Sequence, residues 1–127
     1  MLENIPVELA ERIIDTLPIE ISFVDAEDRV RYFSKEGNRI FKRTKAVIGR
    51  NVRDCHPKHS VDKVITIIEE MKSGERDVAR FWIHLGELFV YIRYFAVRDD
   101  DGEYLGVLEV TQEITDIIKL EGEKRLL

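Results

Sequence analysis

The apolar positions of the chain alternate between two periods. Between Pro6 and Leu17 the period is helical: Leu9, Ile13 and Leu17 share a face, with Ile14 beside it, and Glu8, Glu11 and Arg12 lie elsewhere. Pro6 suits a first helical turn, and Pro18 ends the helix. From Ile19 to Val24 the period drops to two. Ile19, Ile21 and Phe23 alternate, which predicts a first core strand with that face inward. Asp25 to Asp28 reads as a turn and Val30 to Ser34 as a second strand, so the pair forms a hairpin. Between Lys35 and Ile48, the apolar Ile40, Phe41, Val47 and Ile48 stand among many charges and predict short helices.

The helical period returns after Pro57. Val61, Val64, Ile65 and Ile68 form a stripe that Ile67 and Met71 broaden, and Lys72-Ser73-Gly74 supplies a stop. Three more strands follow: Val78 to His84, Phe89 to Arg98 after a turn at Gly86, and Tyr104 to Thr111. The last two are joined by Asp99-Asp100-Asp101-Gly102, which puts Asp and Gly where a hairpin needs positive φ. Beyond Thr115 an Ile/Leu-bearing pattern predicts a closing helix. The strand from Phe89 is apolar on both faces. Alternation sends Phe89, Tyr91, Arg93 and Phe95 one way and Val90, Ile92, Tyr94 and Ala96 the other. One face should pack on the long helix and a cavity. The other should meet the N-terminal helix or a second subunit, which predicts a homodimer.

At 127 residues the chain is one domain that can bury its own core. A net charge of −5 argues against a general nucleic-acid binder. No apolar run is long enough to span a membrane, and the N-terminus does not read as a signal peptide. A single cysteine excludes an internal disulfide, so the expected compartment is the cytoplasm.

Asp101-Gly102, Gly106 and Glu113-Ile114-Thr115 together resemble the end of a PAS domain, where the last strands of a five-stranded sheet run into a signalling helix. Glu113 stands where that family usually has Asp. The resemblance runs from about Leu17 to Thr115. It includes Arg29-Val30-Arg31-Tyr32-Phe33-Ser34 and the Gly49-Arg50-Asn51-Val52 entry to a short helix. Cys55 to Ser60 and the run from Phe89 to Leu127 resemble one prokaryotic group in particular. These are the C-terminal PAS domains of bacterial and archaeal proteins that also carry a hemerythrin-like domain and a domain of unknown function.

The resemblance implies an α+β PAS fold: a five-stranded antiparallel sheet, helices over one face, and flanking terminal helices. Residues 1–17 would be a cap helix, 18–115 the PAS core and 116–127 a signalling or linker helix. The implied function is sensing or protein interaction, with a small ligand in an apolar cavity lined by Phe33, Val64, Ile68, Phe81, Ile92 and Tyr94. Glu113 and Thr115 would relay its state to the last helix and a covalently linked or partner output domain. The alternative is a ligand-free homodimerisation module.

Cofactor chemistry is constrained by the same residues. Flavin-binding photosensory PAS domains carry Gly-x-Asn-Cys-Arg, and Val52 replaces the adduct-forming Cys here. Their glutamine of the last strand is matched by Thr111, so flavin adduct chemistry is not expected. Cys55, His56 and His59 concentrate thiolate and imidazole ligands, which opens a metal- or haem-binding sensor as a further alternative. The competing reading is a helix-entry loop, with Ser60 or His59 as cap and Cys55 as a small hydrophobe. The axial His of haem-binding PAS domains lies further along the long helix, where this chain has none. Glu20, Asp25, Glu109 and His84 are the titratable groups near strands, and no catalytic motif joins them, so no enzyme is expected.

Overall fold

The computed structural model describes residues 1–127. Helix α1 spans Val7–Thr16, α2 spans Lys58–Ser73, and five strands follow the sequence pattern: β1 Glu20–Asp25, β2 Val30–Phe33, β3 Val78–Leu85, β4 Leu88–Arg98 and β5 Tyr104–Glu113. The strands pair antiparallel in the order β2-β1-β5-β4-β3, so β5, the last strand in sequence, lies at the centre beside the first. β5 is thereby hydrogen-bonded along both edges, to β1 on one side and β4 on the other.

Helix α2 packs its Val64, Ile68 and Met71 on one face of the sheet. It stops at Gly74, whose φ of 85° is the left-handed cap that the Lys72-Ser73-Gly74 pattern predicts. The core beneath it is Val24, Val30, Val52, Val90, Ile92, Tyr94 and Val107. Asp28 fastens the first hairpin to the helix: the Lys72 ammonium lies 2.9 and 3.0 Å from its two oxygens. In the last hairpin turn the Asp99 Oδ1 accepts the N–H groups of Asp101 and Glu103, and Gly102 takes φ 86°.

Three expectations differ from what is observed. Glu20, Ser22 and Val24 form the inward face of β1, while Ile21 and Phe23 face out. Register decides this, because Glu20 pairs with Thr111, Ser22 with Glu109 and Val24 with Val107. A one-residue choice of register exchanges the two faces of a strand, and here the polar face is the one with partners waiting inside. Second, the stretch between Lys35 and Ile48 forms one 3-10 turn, Lys45–Val47, and otherwise a loop. Arg39 and Glu20 shape that loop, as described below. Third, residues 116–127 carry one 3-10 turn, Ile117–Lys119, and no α-helix. Its apolar Ile117, Ile118 and Leu120 are exposed, so no packed surface supports a longer helix.

Gly106 shows how tightly the central strands approach. Its φ is 154°, and a Cβ placed there would lie 2.3 Å from the Val24 carbonyl and 2.6 Å from the Phe23 ring. Only glycine lets Phe23 lie across β5 at this point.

Candidate functional site

The inner face of the sheet, α2 and the loop before it enclose a cleft of about 840 Å³. That volume lies within the range of small-molecule sites. The sheet contributes Phe81 and Ile83 from β3, Ile92 and Tyr94 from β4 and Glu109 from β5. The helix contributes His59, Ser60, Lys63, Val64 and Ile67. The loops add Ile40, Phe41, Lys42 and Arg43 on one side and Cys55, His56 and Pro57 on another. A smaller adjoining space of about 20 Å³ reaches Ser22, Val24, Val52, Ile68 and Val107.

Two buried arginines hold the 35–44 loop in place. The Arg39 side chain is 1% exposed and sits 3.3 Å from the Glu20 carboxylate. It donates from Nη1 to the carbonyls of Ser34 and Ile21, and from Nε to that of Phe41. Glu20 in turn accepts the backbone N–H groups of Ile40 and Phe41. Burial lowers the Arg39 pKa from its ordinary value, and the neighbouring Glu20 opposes that shift. Arg43 reaches further inward. Its Nε donates to Ser22 Oγ at 3.1 Å, and its Nη2 lies 3.6 Å from Glu109. The polar inner face of β1 and β5 is therefore the docking surface for two arginines more than sixteen residues away in sequence.

Tyr94 stands edge-on to Phe81, with ring centroids 5.4 Å apart. Burial, and then the Glu109 carboxylate, push its hydroxyl well above the ordinary tyrosine pKa. The hydroxyl is therefore held in its neutral form. His56 places Nδ1 3.1 Å from the Val52 carbonyl. A carbonyl only accepts, so Nδ1 is the donor, and Nε2 of the neutral ring is the acceptor. Cys55 Sγ turns back to the Asn51 carbonyl at 3.6 Å.

Of the expected cavity residues, Val64, Phe81, Ile92 and Tyr94 line the main cleft, and Ile68 lines the smaller space beside it. Phe33 does not: it pairs opposite Ser22 at the sheet edge, and the Arg39 guanidinium sits over its ring at 5.6 Å. Cys55, His56 and His59 all border the cleft, but no three His, Cys, Asp or Glu side chains converge in a metal-holding group. Two of these three are turned to backbone carbonyls instead. Neither His59 nor Ser60 caps α2; its first residue is preceded by Pro57, with no side-chain cap. Glu20, Asp25, Glu109 and His84 are scattered. Glu20 and Glu109 pair with arginines, Asp25 with Arg31, and His84 stacks on Phe89 on the outer face. Arg39, Arg43, Lys42 and Lys63 were not singled out in the sequence. Their only signal there was the density of basic residues in an otherwise acidic chain.

At the far end of β5, Glu113 Oε1 accepts the Thr115 N–H at 2.6 Å. Bonds from the Thr115 hydroxyl and N–H hold the Glu113 carboxyl below its ordinary pKa. Thr115 Oγ1 accepts the Phe89 N–H at 2.9 Å, and Ile114 N–H donates to the Phe89 carbonyl at 2.8 Å. Thr115 thus closes β5 onto β4 rather than capping a helix.

A family model described as PAS domain matches residues 10–115. Among solved structures, a C-terminal domain from Streptococcus mutans is 38% identical, with a TM-score of 0.85, and the match covers 92% of this chain and 91% of that one. A sensory box sensor histidine kinase from Vibrio cholerae is 15% identical, with a TM-score of 0.60 over 85% of this chain and 90% of that one. The PAS domain of Bordetella pertussis BvgS is 19% identical, with a TM-score of 0.63 over 89% of each chain. A search of curated proteins finds no match. No helix is long and apolar enough to cross a membrane.

Proposed function

Because the chain belongs to the PAS domain family, we propose that it is a sensory and protein-interaction domain. It holds a small ligand in the 840 Å³ cleft and relays occupancy through β5 to the Glu113–Thr115 turn. The observation that carries this reading is the continuity of one strand. Glu109 lines the cleft, and four residues further along, about 14 Å at strand rise, Glu113 holds the turn. The turn is tied in addition to Phe89 at the start of β4, the strand that supplies Ile92 and Tyr94 to the cleft. A ligand that shifts β4 against β5 changes the bonds at Phe89, and with them the exit direction of the chain.

The Streptococcus mutans relative is a C-terminal domain. We place this domain likewise at the C-terminal end of a longer cytoplasmic protein, beside the hemerythrin-like domain that the sequence resemblance implies. The relay then acts on a partner or on another domain of the same chain. The test is native mass spectrometry of the purified protein, followed by hydrogen exchange with and without the ligand it reveals. Occupancy should slow exchange at Phe89 and Thr115 as well as at the cleft. Protection confined to the cleft removes the relay.

A second reading, a homodimerisation module, is favoured by the bare apolar stripe of α1. Leu9 and Ile13 are 45% and 49% exposed, and the outer sheet face offers half-exposed Phe23, Tyr91, Phe95 and Leu108. Sedimentation at micromolar concentration should find a dimer, and a monomer alone sinks this reading.

A further inference from the structure

The charge around the cleft runs against the charge of the chain. The protein carries a net −5, yet the cleft is bordered by Lys42, Arg43 and Lys63 against a single carboxylate, Glu109. That carboxylate is already matched by Arg43, which also donates to Ser22. Lys42 and Lys63 have no ion-pair or hydrogen-bond partner, although acidic residues outnumber basic ones 25 to 20 in the chain. Both border the cleft, Lys42 from the loop and Lys63 from α2. The first turn of α2 lies on the same rim through Pro57, His59 and Ser60. It carries no acidic residue, so the positive end of the helix dipole is left uncompensated there. Inside this rim the wall is apolar: Ile40, Phe41, Ile67, Phe81, Ile83 and Ile92.

An apolar interior accepts a body without hydrogen-bonding groups, since any unmatched polar atom there loses its water without replacement. Two unpaired ammonium groups bordering the cleft attract an anion and repel a cation. We propose that the ligand of this cleft is an amphipathic carboxylate, with its hydrocarbon body against the sheet and α2 and its carboxylate between Lys42 and Lys63. This rests on the reading of the cleft as a ligand site and names the chemical class that site selects. The Arg43–Glu109 pair, neutral as a unit, forms the inner polar end and does not compete for the head group.

The test uses three ten-carbon probes that share a body and differ in head: decanoate, 1-decanol and decyltrimethylammonium. Titration calorimetry on the full chain should give one decanoate per domain, bound at least about tenfold tighter than decanol, with the cation weakest. Raising the salt concentration should narrow the gap between decanoate and decanol. The double substitution Lys42→Gln and Lys63→Gln touches only exposed side chains, so the fold survives it. It should remove the preference for decanoate and leave decanol binding unchanged. Ile67→Trp, which pushes a larger ring into the apolar wall, should weaken binding of all three. Equal binding of decanoate and decanol, preference for the cation, or a preference that survives the double substitution overturns the proposal. Decanol bound as well as decanoate leaves the cleft a ligand site and removes only the choice of an acid. The same holds for a bound non-acid found in the native mass spectrum. Failure of all three probes, with no co-purifying ligand, removes both readings.

Discussion

On the inner face of the sheet one row runs across four strands as Phe81, Ile92, Thr111 and Glu20; the neighbouring row on the outer face runs Arg80, Arg93, Val110 and Ile21. Both rows mix apolar and charged residues, and their fates differ. The inner charge, Glu20, is buried and answered by Arg39 and two backbone N–H groups. The outer charge, Arg93, lies flat between the rings of Tyr91 and Phe95, 4.9 and 5.6 Å from their centroids, and its buried Nε has no partner. The charge on the inner face is paired within one chain, although the Thr111 hydroxyl in the same row is buried with no partner. The outer face is left more open: Trp82 is 59% exposed there, and α1 makes no extended packing with any strand. A polar residue inside a sheet is therefore no sign of exposure, and an apolar one outside is no sign of a core. What separates the two charged residues is how fully each is paired: Glu20 meets a guanidinium and two N–H groups, Arg93 only two rings and a 3.5 Å contact to Gln112.

The largest expected effect breaks the inner face. Arg39→Met leaves Glu20 buried without a counter-charge, and should cost about 3–5 kcal/mol in urea unfolding. The substitution should also free residues 35–44 and collapse the cleft. A loss below 1 kcal/mol, by the same measure of buried pairs, refutes the pair as the anchor of the loop.

Gly106→Ala tests the point where the two faces press together. It forces a Cβ against the Val24 carbonyl, and should destabilise by about 1–3 kcal/mol from backbone strain alone. Phe23→Ala in the same background relieves contact with the ring but not with the carbonyl, so thermal unfolding of the double variant should recover only part of the loss.

The relay turn ranks next. Thr115→Ala removes the acceptor of the Phe89 N–H, worth about 1 kcal/mol. Exchange should quicken at Phe89 and through residues 114–119, with the core unchanged. Glu113 adds a pH dependence of defined sign. Its folded pKa is lowered, so its contribution is complete above the ordinary value of 4.5 and fades as pH falls through the lowered one. Glu113→Gln should flatten that acid limb of the stability profile and leave neutral pH nearly untouched.

The smallest effect on stability concerns the outer side. Leu9→Glu with Ile13→Glu should change the folding free energy by less than about 0.5 kcal/mol per site, because both side chains are already exposed. It should nevertheless convert a dimer to a monomer in sedimentation. A dimer that survives places the contact on the sheet face alone, where Tyr91→Glu becomes the next test.

The sequence by itself determined what short-range sterics and periodicity control. The two helices, the five strands and the three hairpins follow from spacing, and the left-handed glycines at Gly74 and Gly102 follow from cap and turn chemistry. Val64, Phe81, Ile92 and Tyr94 were legible as cleft residues because the helical stripe and strand alternation aim them at one another. Tertiary structure alone decided which face of β1 turns inward. Alternation offers two faces, and the choice depends on side chains that local pattern does not see: Arg39 lies nineteen positions beyond Glu20, and Arg43 lies twenty-one beyond Ser22. Only the assembled fold brought Lys42 and Lys63 to one cleft. It also spent the Thr115 hydroxyl on Phe89 rather than on a helix cap. Each of these outcomes is a pairing of distant polar groups. Its energy is realised only after the apolar elements have packed, so no local pattern in the sequence records it.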